Sequence, residues 1–159
     1  MNAAVLTVSD RVSRGEADDR SGDVLAELLA ADGYDVARRV VADEAAEIAM
    51  AIEELAAGAQ IVLTTGGTGL APRDVTPEAT RTVLQRESPG IAEALRADSI
   101  AKTPHGLLSR GVAGVVSGAL VVNLPGSTGG CRDGYAILQP ALAHAVALLS
   151  DEPTRHVQT

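Results

Sequence analysis

Residues 64–76 read TTGGTGLAPRDVT. Gly66, Gly67 and Gly69 fall within four positions, threonines surround them, and Arg73 and Asp74 follow closely. Glycines let a ligand approach the main-chain amides, and threonine hydroxyls add further bonds; phosphate cradles use this chemistry. A plain strand-to-helix turn uses glycines as well, because glycine reaches backbone angles that other residues avoid. Neither G-x-G-x-x-G nor G-x-x-x-x-G-K-[ST] is present, so a polyphosphate bound here lacks the usual lysine and needs another cation. Mg²⁺ held by a carboxylate is the substitute, and Asp74 is the carboxylate at hand. Thr76 and Pro77 already read as the cap and first position of a helix, which leaves Asp74 two residues too early for that duty. It could still close an Asx-turn. Arg73 could neutralise a phosphate or point into solvent.

Other polar clusters follow apolar runs. Ser9 and Asp10 end AAVLTVS, Asp43 ends YDVARRVV and its neighbours, and Pro125, Gly126 and Ser127 follow VAGVVSGALVVNL. Each has a bland alternative: Asp10 and Asp43 as helix caps, residues 125–127 as a simple turn. Ser109 and Arg110 carry no information alone. His105, His144 and His156 show no metal-ligand spacing. Nothing resembles a nucleophile elbow.

The elements that must position these clusters alternate. Short β-rich runs at residues 3–9, 34–41 and 60–65 predict strands, the first of them buried. Between them, Val24, Leu25, Leu28 and Leu29, and then Ile48, Ile52 and Leu55, recur at helical spacing. Gly33 ends the first of these helices. Two further helices are predicted at 77–85 and 89–100, and a last one at about 131–149. Residues 112–124 form two β-rich runs around Ser117 and Gly118, a hairpin signature. The pattern predicts an α/β fold: a mostly parallel sheet with one antiparallel strand and helices on both faces. Ligands bind such sheets at the carboxyl ends of the strands, where all four polar clusters fall.

Composition limits the function classes. The 159-residue chain is 46% hydrophobic, suited to one domain at residues 1–150 with a C-terminal tail at 151–159. Tyr34 and Tyr135 are its only Phe, Trp or Tyr residues, so recognition of a flat ring would fall to polar and backbone groups. The net charge of −8 argues against nucleic-acid binding and against anionic membranes. No apolar run reaches about 18 residues, the N-terminus does not read as a signal peptide, and the single Cys131 cannot form an internal disulfide. A cytoplasmic setting fits.

TTGGTG with RDVTPEA, then ESPGIAEALR, LSR and LPGS, with TVSDR near the start, together resemble the MogA/MoaB molybdopterin-binding family. They are similar also to the G domain of the plant molybdenum-cofactor enzyme. The resemblance spans residues 4–149. It implies a three-layer molybdopterin-binding fold, a homotrimer, and Mg²⁺-dependent transfer of AMP from ATP to molybdopterin, giving adenylyl-molybdopterin and pyrophosphate. It places the family's two important carboxylates at Asp74 and Asp43. It also places ligand contacts at Gly66, Gly67, Thr68 and Gly69, and at Ser9, Asp10, Pro125, Gly126 and Ser127. On this resemblance Asp74 holds or orients Mg²⁺, Asp43 positions molybdopterin or the metal, and a molybdate-insertion protein is a further partner. The alternative is a carrier that binds molybdopterin without adenylylating it. TGGCRDG after LPGS departs from the family pattern and leaves the pocket's shape there open.

Overall fold

A computed structural model describes residues 1–150. The expected tail at 151–159 lies outside the described residues. The chain runs β1 (Asn2–Val8), α1 (Asp10–Ser13), α2 (Arg20–Ala31), β2 (Asp35–Val41), α3 (Ala45–Ala56), β3 (Ile61–Thr65), α4 (Thr76–Val83), β4 (Arg86–Glu87), α5 (Pro89–Lys102), a 3₁₀ turn (Pro104–Leu108), β5 (Ala113–Val116), β6 (Ala119–Leu124) and α6 (Thr128–Leu149).

The strands form one sheet in the order β2-β1-β3-β6-β5-β4. β1 pairs in parallel with β2 and β3, and β3 with β6. β5 is antiparallel to both β6 and β4, so it alone runs against the rest. The hairpin reading is correct: Ser117 (φ 49°) and Gly118 (φ 81°) both adopt positive φ, as a tight two-residue turn matched to strand twist requires. The two-residue β4, the short α1 and the 3₁₀ turn are too short to carry a periodic signal, so the sequence does not predict them.

The central strands are buried on both faces, which is why they read as continuous apolar runs. On one face Ala3, Val5, Ile61, Leu63 and Val122 pack with Leu25 and Leu29 of α2 and Leu138 and Leu142 of α6. On the other, Ala4, Leu6, Val62 and Val121 pack with Ile48 and Ile52 of α3 and Ala79 of α4. α5 adds Ile91 and Leu95 to the first layer. The edge strand β2 is more exposed. Its Arg38 pairs with Asp19 and Asp23 and its Arg39 with Glu54, charges that blunt an open edge.

Gly33 ends α2 as expected. Its N–H reaches Ala30 O at 3.0 Å while Tyr34 N–H reaches Leu29 O at 3.1 Å, a Schellman pair. α6 begins at Thr128 rather than near 131, because Ser127 caps it: the Ser127 hydroxyl accepts the Gly130 N–H at 3.1 Å. The glycine-rich TGGCRDG is therefore helix. Gly134 packs closely within it, since a Cβ there would lie 2.7 Å from Leu124 Cδ2 and displace that side chain.

Candidate active site

The glycine loop follows β3 and lies in the middle of the carboxyl edge. Gly66 (φ 97°) and Gly67 (φ 65°) both adopt left-handed backbone. Space excludes side chains as well. A Cβ on Gly66 would sit 2.3 Å from Val8 O, and one on Gly67 would sit 2.3 Å from Thr76 Oγ1 and 3.2 Å from Asp43 Oδ1. The loop is anchored at α4, where Thr76 donates its hydroxyl to Gly66 O at 2.9 Å and its N–H to Gly67 O at 3.1 Å.

Those bonds correct the capping argument. Thr76 is the first residue of α4, Val75 occupies the cap position, and no side chain caps the helix. Asp74 does have a local duty. Its Oδ2 accepts the Ala71 N–H at 3.0 Å, while its own N–H reaches Ala71 O at 2.9 Å, so it closes the turn at residues 71–74. The turn brings Oδ2 to 2.8 Å from where a Gly69 Cβ would stand. Asp74 thus borders Gly69 as Asp43 borders Gly67.

Asp10 and Asp43 lock the ends of β1 and β2 together reciprocally. Asp43 Oδ2 accepts the Asp10 N–H at 2.8 Å, and Asp10 Oδ1 accepts the Asp43 N–H at 3.0 Å. Asp43 therefore serves the start of α1, not α3, whose cap position is Glu44. Ser9 is the cap of α1, its hydroxyl accepting the Val12 N–H at 3.3 Å. Arg73 does not point freely into solvent, although it is more than half exposed. Its guanidinium forks onto Asp10 at 2.5 and 3.1 Å and reaches Glu44 at 2.7 Å. That fork holds the Asp10 carboxyl below the usual range and the Arg73 guanidinium above its own. Asp43 moves the other way. Burial pushes its carboxyl above the usual range, the Asp10 and Asp74 charges add to this, and the Asp10 N–H and Arg73 oppose it.

Across the loop lies a cleft of about 510 Å³. Thr68, Gly69, Pro125 and Ser127 line it; Ser9, Asp10, Asp43, Arg73, Asp74, Gly66, Gly67 and Gly126 do not. Gly126 instead stacks on the loop, where its Cβ would lie 3.3 Å from Gly66 Cα. Pro125 O accepts from the Thr65 hydroxyl at 2.8 Å and the Cys131 thiol at 3.2 Å, which fixes the turn that starts α6. Burial raises the Cys131 thiol, a buried small residue as expected. The first turn of α6 faces the cleft through Gly129 and Gly130, presenting a helix N-terminus to any anion within.

Sequence reasoning missed the far wall of the cleft, formed by α5 and the 3₁₀ turn. There Arg96 donates to Gly111 O at 2.8 Å, and Lys102 bridges Asp98 (2.8 Å) and Asp133 (3.1 Å). Ser99, Thr103, His105 and Ser109 add polar groups. Asn123, buried at the back, donates to the Thr64 and Thr80 hydroxyls at 2.9 and 3.0 Å. The available signal was the polar density of residues 96–109. Among the described residues no group of three or more His, Cys, Asp or Glu is placed to hold a metal. The other mode of Mg²⁺ binding uses one or two carboxylates completed by substrate phosphates and water, and Asp43 and Asp74 are the carboxylates that border the glycine loop. Among the described residues, no helix is long and apolar enough to cross a membrane.

The family model described as a probable molybdopterin-binding domain matches residues 4–144. A crystal structure of the molybdopterin biosynthesis enzyme MoaB from Thermus thermophilus is 44% identical, with a TM-score of 0.88, covering 97% of this chain and 99% of that one. A molybdenum cofactor biosynthesis bifunctional protein of Synechococcus elongatus is 44% identical over 149 residues, 92% of this chain and 47% of the relative. A molybdopterin adenylyltransferase of Helicobacter pylori is 36% identical over 94% of this chain and 88% of its own length. The chain spans about half the length, or less, of the longer curated relatives it matches. With the family model spanning nearly all of the fold and such relatives across the whole sheet, the chain belongs to the molybdopterin-binding domain family of MogA and MoaB.

Proposed function

We propose that this protein is a molybdopterin adenylyltransferase. A terminal phosphate oxygen of molybdopterin attacks the α-phosphorus of ATP. The bond from that phosphorus to the α–β bridging oxygen breaks, and pyrophosphate leaves with the electron pair. The observation that carries the reading is the position of the glycine loop. It is a shared wall with a roomy cleft on one side and two carboxylates on the other. Two ligands on opposite sides of one backbone can bring their phosphates together across it, and such a transfer needs alignment and charge neutralisation more than covalent help.

In this reading molybdopterin occupies the cleft. The N-terminus of α6 and Lys102 offset its phosphate charge, and polar groups of α5 and the 3₁₀ turn meet the pterin. The triphosphate lies along Gly66 and Gly67, whose left-handed backbone sets the course of the loop beside Asp43. Asp74 and Asp43 would hold Mg²⁺, which supplies neutralisation of charge building on the transferring phosphate. Arg73 orders this side by fixing Asp10 and Glu44. The same reading extends to a cytoplasmic homotrimer whose product passes to a molybdate-insertion protein. A shallow apolar groove between α5 and α6, lined by Ile91, Ala94, Ile137 and Ala141, offers an apolar surface for self-association.

Incubating purified protein with molybdopterin, ATP and Mg²⁺ tests the activity. Adenylyl-molybdopterin by mass and stoichiometric pyrophosphate are expected. Tight molybdopterin binding without pyrophosphate would instead identify a carrier. Sedimentation of the same sample reads the trimer.

A further inference from the structure

Arg110 lies just before β5, forty-one positions after Gly69, yet among the described residues its side chain bonds to the glycine loop and the start of α4. Its Nε donates to Gly69 O at 2.7 Å and its Nη2 to Asp74 O at 2.7 Å, while Nη1 pairs with Glu78. Its own N–H donates to Thr68 O at 3.0 Å. One guanidinium therefore grips both ends of the segment 69–74, and Glu78 braces it from behind. No lysine could make this set, because a point charge lacks the rigid fork.

The grip has a directional consequence. In a planar trans peptide the N–H points opposite the preceding carbonyl. With the Gly69 and Asp74 carbonyls drawn onto Arg110, the Leu70 and Val75 N–H groups aim away from it. Turned the other way, these peptides would leave Arg110, and the Asp74 carboxylate would leave its place beside Gly69. We infer that Arg110 is the positioning residue of this site: it sets the peptide orientation of the glycine loop and thereby the place of Asp74. It acts through the loop, since Ser109 and Gly111 line the cleft while Arg110 does not.

The inference rests on the adenylyl-transfer reading for its kinetic arm and on backbone exchange for its other arm. Arg110→Ala and the gentler Arg110→Lys are compared with wild type for kcat, for the Kd of molybdopterin in the absence of ATP, and for amide hydrogen exchange of residues 67–76. That segment carries the Ala71 N–H bond to Asp74 and the Thr76 N–H bond to Gly67. In the Ala variant, kcat should fall about 10²-fold, the cost of a small misplacement of a catalytic group. Exchange in 67–76 should accelerate in both variants, molybdopterin Kd should stay at the wild-type value, and Lys should fall between Ala and wild type in kcat. Wild-type kcat and wild-type exchange in both variants overturn the inference, as does a loss of molybdopterin affinity equal to the loss of kcat. If wild type itself transfers no adenylyl group, the functional reading fails, and loop exchange alone decides whether Arg110 sets the loop.

Discussion

The two sides of the glycine loop are built on opposite plans. On the β1–β2 side, charge is dense and already internally paired: Asp10 with Arg73, Arg73 with Glu44, and Asp43 with the Asp10 N–H. On the β6–α5 side there is room, about 510 Å³, and a helix N-terminus, with Lys102 paired to Asp98 and Asp133 on the far wall. The first side is pre-organised: its groups are held before any ligand arrives, as electrostatic stabilisation of a transition state requires. The second has the size and mixed lining of a ligand pocket. On the proposed function, chemistry falls to one side and recognition to the other, a division that substitutions on each side can break.

The largest effect belongs to the carboxylates. Asp74→Ala and Asp43→Asn should each lower kcat by about 10³-fold, as removal of a pre-organised electrostatic group does. Molybdopterin affinity should stay near wild type in both. Asn at position 43 keeps an oxygen for the Asp10 N–H, so α1 retains its anchor. Single-turnover assays with a parallel molybdopterin titration read both quantities. Wild-type turnover in Asp74→Ala sinks the assignment of that residue; a parallel fall in cleft affinity erases the boundary between the two sides.

A smaller effect is expected in the cleft. Lys102 is shared between Asp98 and Asp133, so Lys102→Ala leaves two uncompensated carboxylates at the mouth. The lost charge is screened by solvent, so KM for molybdopterin should rise only modestly, on the order of fivefold, with kcat little changed. Steady-state kinetics at fixed ATP give the split. An unchanged KM places the anionic end of molybdopterin on the carboxylate side and inverts the comparison.

The same contrast shows in what the sequence reveals. β1, β3 and β6 are legible because burial on both faces leaves apolar runs, and the Ser117 and Gly118 turn is legible because its backbone demands those residues. The glycine loop and Asp74 stand out for similar local reasons. The duties of Asp10, Asp43 and Arg73 do not, because their partners lie 33 and 63 positions apart and no periodicity encodes such pairs. Thr76 misled for an instructive reason: a cap-forming residue type instead spends its hydroxyl on Gly66 O, ten positions back. The cleft's far wall left only the polar density of residues 96–109 in the sequence, because its shape depends on the close approach of the 3₁₀ turn to α5. There a Cβ on Gly106 would lie 2.6 Å from Ile100 N.

The smallest effect at neutral pH comes from Arg73, and its value lies in its sign. Asp43 titrates above the ordinary carboxylate range through burial, and Arg73 partly opposes that shift. If catalysis needs Asp43 ionised, activity should fall on acidification at a pH above that of an ordinary aspartate. Arg73→Met removes the opposing charge, favours the protonated form, and should move the acid limb of kcat to still higher pH. Stability responds through the other carboxylate. Asp10 titrates below the usual range because of Arg73, so its contribution is present above the unfolded pKa and lost as pH falls through the folded one. Without Arg73 that protection shrinks, and acid unfolding should begin at a higher pH than in wild type. Asp43 cannot produce this second shift, because a raised carboxyl stabilises the fold on protonation. A pH–rate profile and an acid titration followed by circular dichroism separate the two. If the acid limb stays in place while the unfolding midpoint moves, Asp43 is not the titrating group of the reaction, and the chemistry of this side rests on Asp74.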